Sequence, residues 1–379
     1  MNQTKRAASA NPQDDSRLYE AWHAVGDLYH ACFTGLIMTI ASRKGQRAAA
    51  DFVFRVFRRQ QQERFLLGIE RFGLKDLPHA VACAQYHYLG NMLGGVPVQF
   101  IPESDRKAWI RYPAPRWMWR GTAICAIPGE VSLGMMLGWH ANNGVSLGNP
   151  RLGFVCTKQM ADGQDGLEGF YYEYDRELAP HERLAFARHL EAPDFDPALA
   201  PRLEGDDWPR SRIEKSYRNY AMEYVRTALP VVVEQFGPID AGHLLHLTGR
   251  LVGMQFHEEL APRFGAPASA ATEPIGIREF GEFLAAFLDA HGGRADRSES
   301  ASVVTVTQDR WRLADAAPGF HPVHLEALAG VVSGFLAAAN RRLAVGYASA
   351  PGDAGTRITW TISHRHPATM RSSDERYPA

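Results

Sequence analysis

The sequence predicts an α+β fold made of two tandem copies of one module, each laying helices over a small antiparallel sheet, with the copies forming an internal pseudo-dimer. Three observations predict it. Apolar residues recur at three-to-four spacing through several long segments, the mark of helices with one buried face. Short alternating segments bounded by Gly/Asp turns close each half, as strands do. Finally, four markers recur in one order at near-constant offset, which is the signature of an internal repeat. GNPRLGFV (Gly148 to Val155) returns as ANRRLAVG (Ala339 to Gly346), and Arg71, Phe72 and Gly73 return as Arg263, Phe264 and Gly265. The pair Gly94 and Gly95 returns as Gly292 and Gly293, and the turn ADGQDG as APGDAG.

In chain order, residues 1–16 read as a disordered tail, and a first module spans 17–175. Within it Trp22, Val25, Tyr29, Phe33, Leu36 and Ile40 mark one helix, RAAADFVFRVFRRQQQERFLLGIERFG a second that Gly73 stops, and LPHAVACAQYHYLGNMLGG a third. VPVQFIPESDRKAWIRYP is strand-like around PESD, EVSLGMMLGWHAN is helical, and two strands flank ADGQD. The acidic, proline-rich stretch 176–215 reads as a linker with one short helix at HERLAFARHL. The same order then returns over 216–366, and 367–379 is a tail. Asn149 and Asn340 are expected to turn the chain from helix into strand.

Composition narrows the function classes. The chain has 379 residues, 45% of them hydrophobic and 22% charged, enough for sizeable cores. Lys plus Arg total 41 against 42 Asp plus Glu, so no broad basic field exists to neutralise a phosphate backbone, and nucleic acid is not an expected partner. The apolar run FTGLIMTIA falls short of the roughly 18–20 residues of a membrane span, and the first sixteen residues lack an apolar signal core. The expected location is the cytoplasm. Four cysteines without a CxxC pair (Cys32, Cys83, Cys125, Cys156) read as reduced, small buried residues.

The order helix, strand, helix, then an Asn-Pro-x-Leu phrase leading into a Gly/Asp-turned hairpin resembles the 4-vinyl reductase domain and the related L-2-amino-thiazoline-4-carboxylic acid hydrolase family. Asn149, Pro150, Leu152 and ADGQDG carry the likeness in the first copy, and Asn340, Leu343 and PGDAG in the second. The resemblance implies a pocket for a small organic ligand, used for ring-opening hydrolysis or for sensing. Where that pattern carries cysteines, this chain has Tyr112-Pro113, Glu168 or Gly169, and Thr356, so a thiol nucleophile is not implied at those positions.

Three groups of residues have the types that chemistry needs. His23, Asp27 and His30 lie on one helical stripe, where Asp27 could orient an imidazole as general base, or two of the three could share a metal; a solvated helix flank is the plainer reading. Cys83 and His87 are one turn apart, the geometry in which an imidazole lowers a thiol pKa, though such pairs are mostly packing neighbours. The segment RYPAPRWMWRGTAIC sets Tyr112, Arg116, Trp117, Trp119 and Arg120 together, followed by His140, Asn142 and Asn143 in WHANNG. Aromatic walls with a few donors suit a small planar ligand, while a helix end with Asn143 as left-handed cap is the structural alternative. The second half has no comparable loop before its Asn340 phrase. The expected function is therefore an enzyme acting on a small cyclic, planar substrate by hydrolytic or related C–N or ring-opening chemistry, with a histidine general base and the pocket between the copies. The alternatives are a small-molecule-binding sensor-type protein and a His-ligated haem or metal protein. Expected cofactors are none or a single divalent metal. The expected partner is the small-molecule substrate, with no membrane, and homo-oligomer formation is left open.

Overall fold

The fold is α+β, with helices against two small sheets. It is described by a computed structural model for residues 12–114, 127–202, 208–266, 274–300, 302–315 and 319–365. The chain divides into two compact units: Phe33–Tyr220, and the residues up to Cys32 together with those from Ala221 onward. Helix α1 (Pro12–Lys44) thus contributes its first part to one unit and its last to the other. It also begins inside the stretch read as a tail, so residues 12–16 are helical.

In the Phe33–Tyr220 unit, α1 gives way to α2 (Gln46–Arg71) at Gly45, whose φ of 93° is open to glycine but costly for other L-residues. Gly73 (φ 69°) ends the next stretch, and α3 (His79–Leu93) ends on Gly94 and Gly95. A Cβ on Gly95 would lie 2.6 Å from the Tyr217 ring, so close packing as well as its positive φ selects glycine there. Strands β1 (Gln99–Ser104) and β2 (Lys107–Pro113) form a hairpin, followed by α4 (Gly129–Gly138), a short α5 (Asn143–Ser146), β3 (Leu152–Lys158) and β4 (Gly166–Glu173). The sheet order is β1-β2-β4-β3-β5, antiparallel apart from the parallel pairing of β3 with β5 (Leu184–Phe186). One face turns Ile101, Trp109, Val155 and Phe170 under a cover from Leu190, Ala192 and Phe195. By alternation, Ala108, Ile110, Tyr112 and Tyr171 occupy the opposite face.

The stretch 176–215 is more than a connector. The helix expected at HERLAFARHL is replaced by a single 3₁₀ turn (Pro180–Glu182) and the strand β5. Leu184, Ala185 and Phe186 satisfy their main chain on the edge of β3, and the apolar residues beyond them seal the sheet, which helical pairing would forgo.

In the second unit, α6 (Arg210–Leu260) is broken at Gly237 (φ 77°, ψ 162°), just as Gly45 separates α1 from α2. Then come α7 (Ile277–Ala290), β6 (Ala295–Glu299), β7 (Val303–Gln308), a short α8 (Arg312–Asp315), α9 (Leu325–Ala339), β8 (Leu343–Gly352) and β9 (Gly355–His364). Its sheet runs β6-β7-β9-β8, the strand order of β1-β2-β4-β3. Asn149 and Asn340 make the same turn: each side-chain oxygen accepts from the N–H two residues on (Arg151, 3.1 Å; Arg342, 2.9 Å). Each backbone carbonyl accepts from the N–H three on (Leu152, 3.2 Å; Leu343, 3.1 Å), which carries helix into strand.

Both units rest on one helix-to-helix contact. A Cβ on Gly134 or Gly138 of α4 would stand 2.5 Å from the Ala50 carbonyl or 2.7 Å from that of Phe54, both on α2. In the other unit, a Cβ on Gly330 or Gly334 of α9 would stand 2.3 Å from the carbonyls of His246 and Arg250. Gly249 and Gly253 return the contact, so backbone lies on backbone from both sides. Two helices, Ser16–Lys44 and Pro322–Ala339, are long and apolar enough to cross a membrane, yet 61% of each apolar window is buried inside the fold, as in a core helix.

A methyl group at these glycines meets carbonyls that no side-chain rotation can move. Gly138→Ala and Gly334→Ala should each lower stability by about 1–3 kcal/mol in urea denaturation. Gly129→Ala, with nothing within 4 Å of its Cβ, should be neutral or stabilising.

Candidate functional site

In the Phe33–Tyr220 unit the helices meet the sheet through polar side chains, where apolar ones are the rule. Reversal of α4 into a 3₁₀ turn (His140–Asn142) and then α5 points His140, Asn142 and Asn143 inward, exposed by only 3%, 9% and 0%. The His140 ring lies between His87 and Phe154, with centroids 4.4 Å away on either side and near-parallel planes. Its Nδ1 is 2.6 Å from the Tyr171 hydroxyl, which also accepts from Asn143 Nδ2 at 2.9 Å. With the Tyr171 proton directed at His140, the neutral ring would carry its own proton on Nε2.

The chain of contacts continues. Asn143 Nδ2 reaches His87 Nε2 at 3.4 Å, and His87 Nδ1 faces the Tyr112 hydroxyl at 3.3 Å. Asn91 donates to Tyr112 (3.2 Å) and to the His87 carbonyl (2.7 Å), and accepts from Tyr220 (2.7 Å). On the far side Gln61 donates to Asn143 Oδ1 (3.2 Å) and Ser146 (2.9 Å), and accepts from Asn142 (2.7 Å). Such a network holds one arrangement of its members, because any departure leaves a buried polar group unpaired.

Burial sets the electrostatics. It holds His140 down to about 3 and His87 well below its usual value, the latter helped by the neighbouring His140. It also raises the Tyr171 phenol well above its ordinary range. The Cys83 thiol is pushed up by the same burial, against a smaller opposing hydrogen bond to Asn143, so His87 does not lower it and the pair reads as packing neighbours. Asn143 is not a left-handed cap either: its φ/ψ of −62°/−43° is helical, and Gly148 (φ 66°) takes the left-handed position.

Adjoining the network is a partly open apolar cleft lined by Ile37, Val53, Ile127, Val131, Ser132, Met135, Met160, Ala161 and Leu167. Leu167 pairs directly with Tyr112 across β4 and β2, so cleft and network share that pair. Arg116, Trp117, Trp119 and Arg120 lie outside the described residues, in the segment that leads to Ile127.

The structure thus brings together His140, Tyr112, Asn142, Asn143, Cys83 and His87. It assigns His23, Asp27 and His30 to the other unit. There His23 Nε2 lies 3.8 Å from Asp27, with the two side chains 50% and 25% exposed, and His30 stands beside Tyr224. Among the described residues, no group of three or more His, Cys, Asp and Glu could hold a metal ion. Sequence reasoning missed Gln61 and Tyr171. Their signals were a glutamine inside an amphipathic helix and a tyrosine on the inward face of FYYEY.

The second unit has hydrocarbon at the positions of the α3 polar residues, although His257 and His291 are buried among its phenylalanines. Counting back from the positive-φ glycine after each helix, Cys83, His87 and Asn91 (before Gly95) correspond to Phe280, Leu284 and Leu288 (before Gly292). All three are fully buried, in a core where Phe283 and Phe287 lie 5.2 and 4.9 Å from Phe335.

No family model matches the chain, and no curated protein matches it. Among solved structures it is similar to a trafficking protein particle complex subunit 3 from Naegleria fowleri covalently bound to palmitic acid, at 18% identity and TM-score 0.32, over 39% of this chain and 97% of that one. It is also similar to a Cs H-NOX mutant (14%, TM-score 0.27, 38% and 74%) and a T. Tengcongensis H-NOX mutant (14%, TM-score 0.27, 38% and 75%). Likeness at this level carries no argument about function.

The buried neutral histidines have a measurable consequence. Each is near its ordinary value of 6.5 when unfolded and lower when folded, so the unfolded state binds more protons as pH falls. Stability is full above about pH 6.5 and should decline towards pH 3, by up to about 1.4 kcal/mol per pH unit for each such group. His140→Phe should make the urea midpoint less steep with pH over that window, while lowering it at pH 7.

Proposed function

We propose that the Phe33–Tyr220 unit binds a small, largely apolar and planar molecule in the cleft beside α4, and that the polar network, through Tyr112, holds its cross-strand partner Leu167 in the cleft wall. The observation that carries this reading is the difference between the two cores. The same strand order is served by phenylalanine and leucine in one unit, so the fold does not require His87, Asn91, His140 and Asn143 in the other. A hydrocarbon lining with one hydroxyl, Ser132, suits a ligand recognised by shape more than by charge. The resemblance to the 4-vinyl reductase domain implies a pocket of this kind. We also infer that the halves are copies of one module, which the paired glycines and Asn turns support, and that the setting is the cytoplasm, consistent with the free thiols Cys32, Cys83 and Cys156.

A general-base role fits His140 poorly, since a ring held to about 3 is a weak base at neutral pH. An enzymatic reading is favoured by one contact only, the Tyr112 hydroxyl on His87 Nδ1. In hydrolytic or ring-opening chemistry on the bound molecule, the Tyr112 hydroxyl would be the hydrogen-bonding group, with His87, itself held well below its ordinary value, orienting it instead of acting as base. Tyr112→Phe would then abolish turnover while sparing binding.

Titration with the neutral, polarity-sensitive dye Nile red should show saturable binding. Met135→Trp, which fills the cleft, should weaken it at least tenfold, and His140→Phe should leave it within a fewfold of wild type. Binding unchanged in Met135→Trp would refute the cleft as the site.

A further inference from the structure

The sheets have four edges, and three are closed to further pairing. β5, the edge beyond β3, is only three residues long. β1 is six residues long with Pro102 at a bulge, and β6 is five residues carrying Asp296, Arg297 and Glu299, all features that discourage strand addition. The fourth edge is β8, ten residues without a single charge (LAVGYASAPG), last in its sheet and exposed at Gly346, Ala348, Ser349, Ala350 and Pro351.

Hydrogen bonding fixes which groups that edge presents. The Leu343 N–H is given to Asn340, and its carbonyl accepts from Arg365 Nε at 2.9 Å, so Leu343 does not exchange bonds with its β9 neighbour His364. In an antiparallel ladder such positions alternate. Val345, Tyr347 and Ser349 therefore turn their N–H and C=O outward. Pro351 falls in the same series but has no N–H. The residues between them on the outer face of the sheet, Ala344, Gly346, Ala348 and Ala350, are all small.

We propose that β8 is a dimerisation edge, pairing antiparallel with β8 of a second copy of this chain about a two-fold axis through Tyr347. The edge is self-complementary in that register. Tyr347 faces the partner's Tyr347, Val345 faces Ser349 of the partner subunit, and Ser349 faces the partner's Val345. The two residues that cannot join the ladder also meet: Pro351, without a donor, lies opposite the partner's Leu343, whose own groups are already satisfied. No like charges confront each other, because the strand carries no charge at all. The result is one continuous eight-stranded sheet with a closed, isologous contact.

Sedimentation equilibrium of the full chain over a wide concentration range tests this. A reversible monomer–dimer equilibrium is expected. Ser349→Pro removes one outward donor per copy, hence two hydrogen bonds per dimer, and should raise the dimer Kd by on the order of tenfold or more. Glu299→Pro on the β6 edge, at a position whose N–H likewise points away from the neighbouring strand, should leave it unchanged. A wild-type chain that stays monomeric, or a dimer that Ser349→Pro does not weaken, overturns the proposal. If Ser349→Pro unfolds, hydrogen exchange on the wild-type protein decides: protection of the Val345, Tyr347 and Ser349 amides must rise with concentration, and protection that ignores concentration overturns it. Dye binding in the cleft is independent of either result.

Discussion

The approach of one helix backbone to another, with only glycine between them, is the constraint from which the rest of each unit follows. α4 on α2 and α9 on α6 both lie close enough that a Cβ would strike a carbonyl. Once the helices are fixed at that distance, the hairpin leaving the Asn turn has one place to go, and the sheet closes against the remaining helical face. Crossing at this depth removes side-chain freedom from the contact, so little conformational entropy is lost in forming it.

Against that common frame the two cores differ in kind. Phenylalanine rings packed edge to face around Phe335 stabilise without polar atoms of their own, and the buried polar groups among them are few, His257 and His291. The core around His140 takes on that demand, with Gln61, Asn91, Asn143, Tyr112 and Tyr171 all tied to one another. Burying so many polar groups is tolerable only because nearly every one has a partner, and it makes one geometry far better than its neighbours. The longer turn of the first half makes this possible: eleven residues separate Gly138 from Asn149, but only six separate Gly334 from Asn340. The additional five carry the inward-facing turn.

The fold class was legible in the sequence because its signals are local: three-to-four spacing, alternation, and glycines at fixed places. The turn made by Asn149 and Asn340 was legible for the same reason. What escaped was non-local. HERLAFARHL carries no periodicity that reveals its use as a β3 partner, since that choice belongs to an edge thirty residues earlier. His140 and His87 looked like a helix end and a reactive pair, because the sequence does not show the 4.4 Å stack that removes water from both. Tyr171 and Gln61 were invisible as site residues, being neither unusual in type nor close in sequence to the others.

Division of the two long helices between the units bears on how the protein can be dissected. Residues up to Cys32 belong with the second half, while Arg210 to Tyr220, the start of α6, belong with the first. A cut between residues 176 and 209, where composition invites one, would strip each unit of a helical segment encoded at the far end of the other. One unit is inserted within the other along the chain, so limited proteolysis or gene truncation there would yield two incomplete folds; during synthesis the Phe33–Tyr220 unit has all its parts once residue 220 is made, while the first 32 residues must wait for those from Ala221 onward.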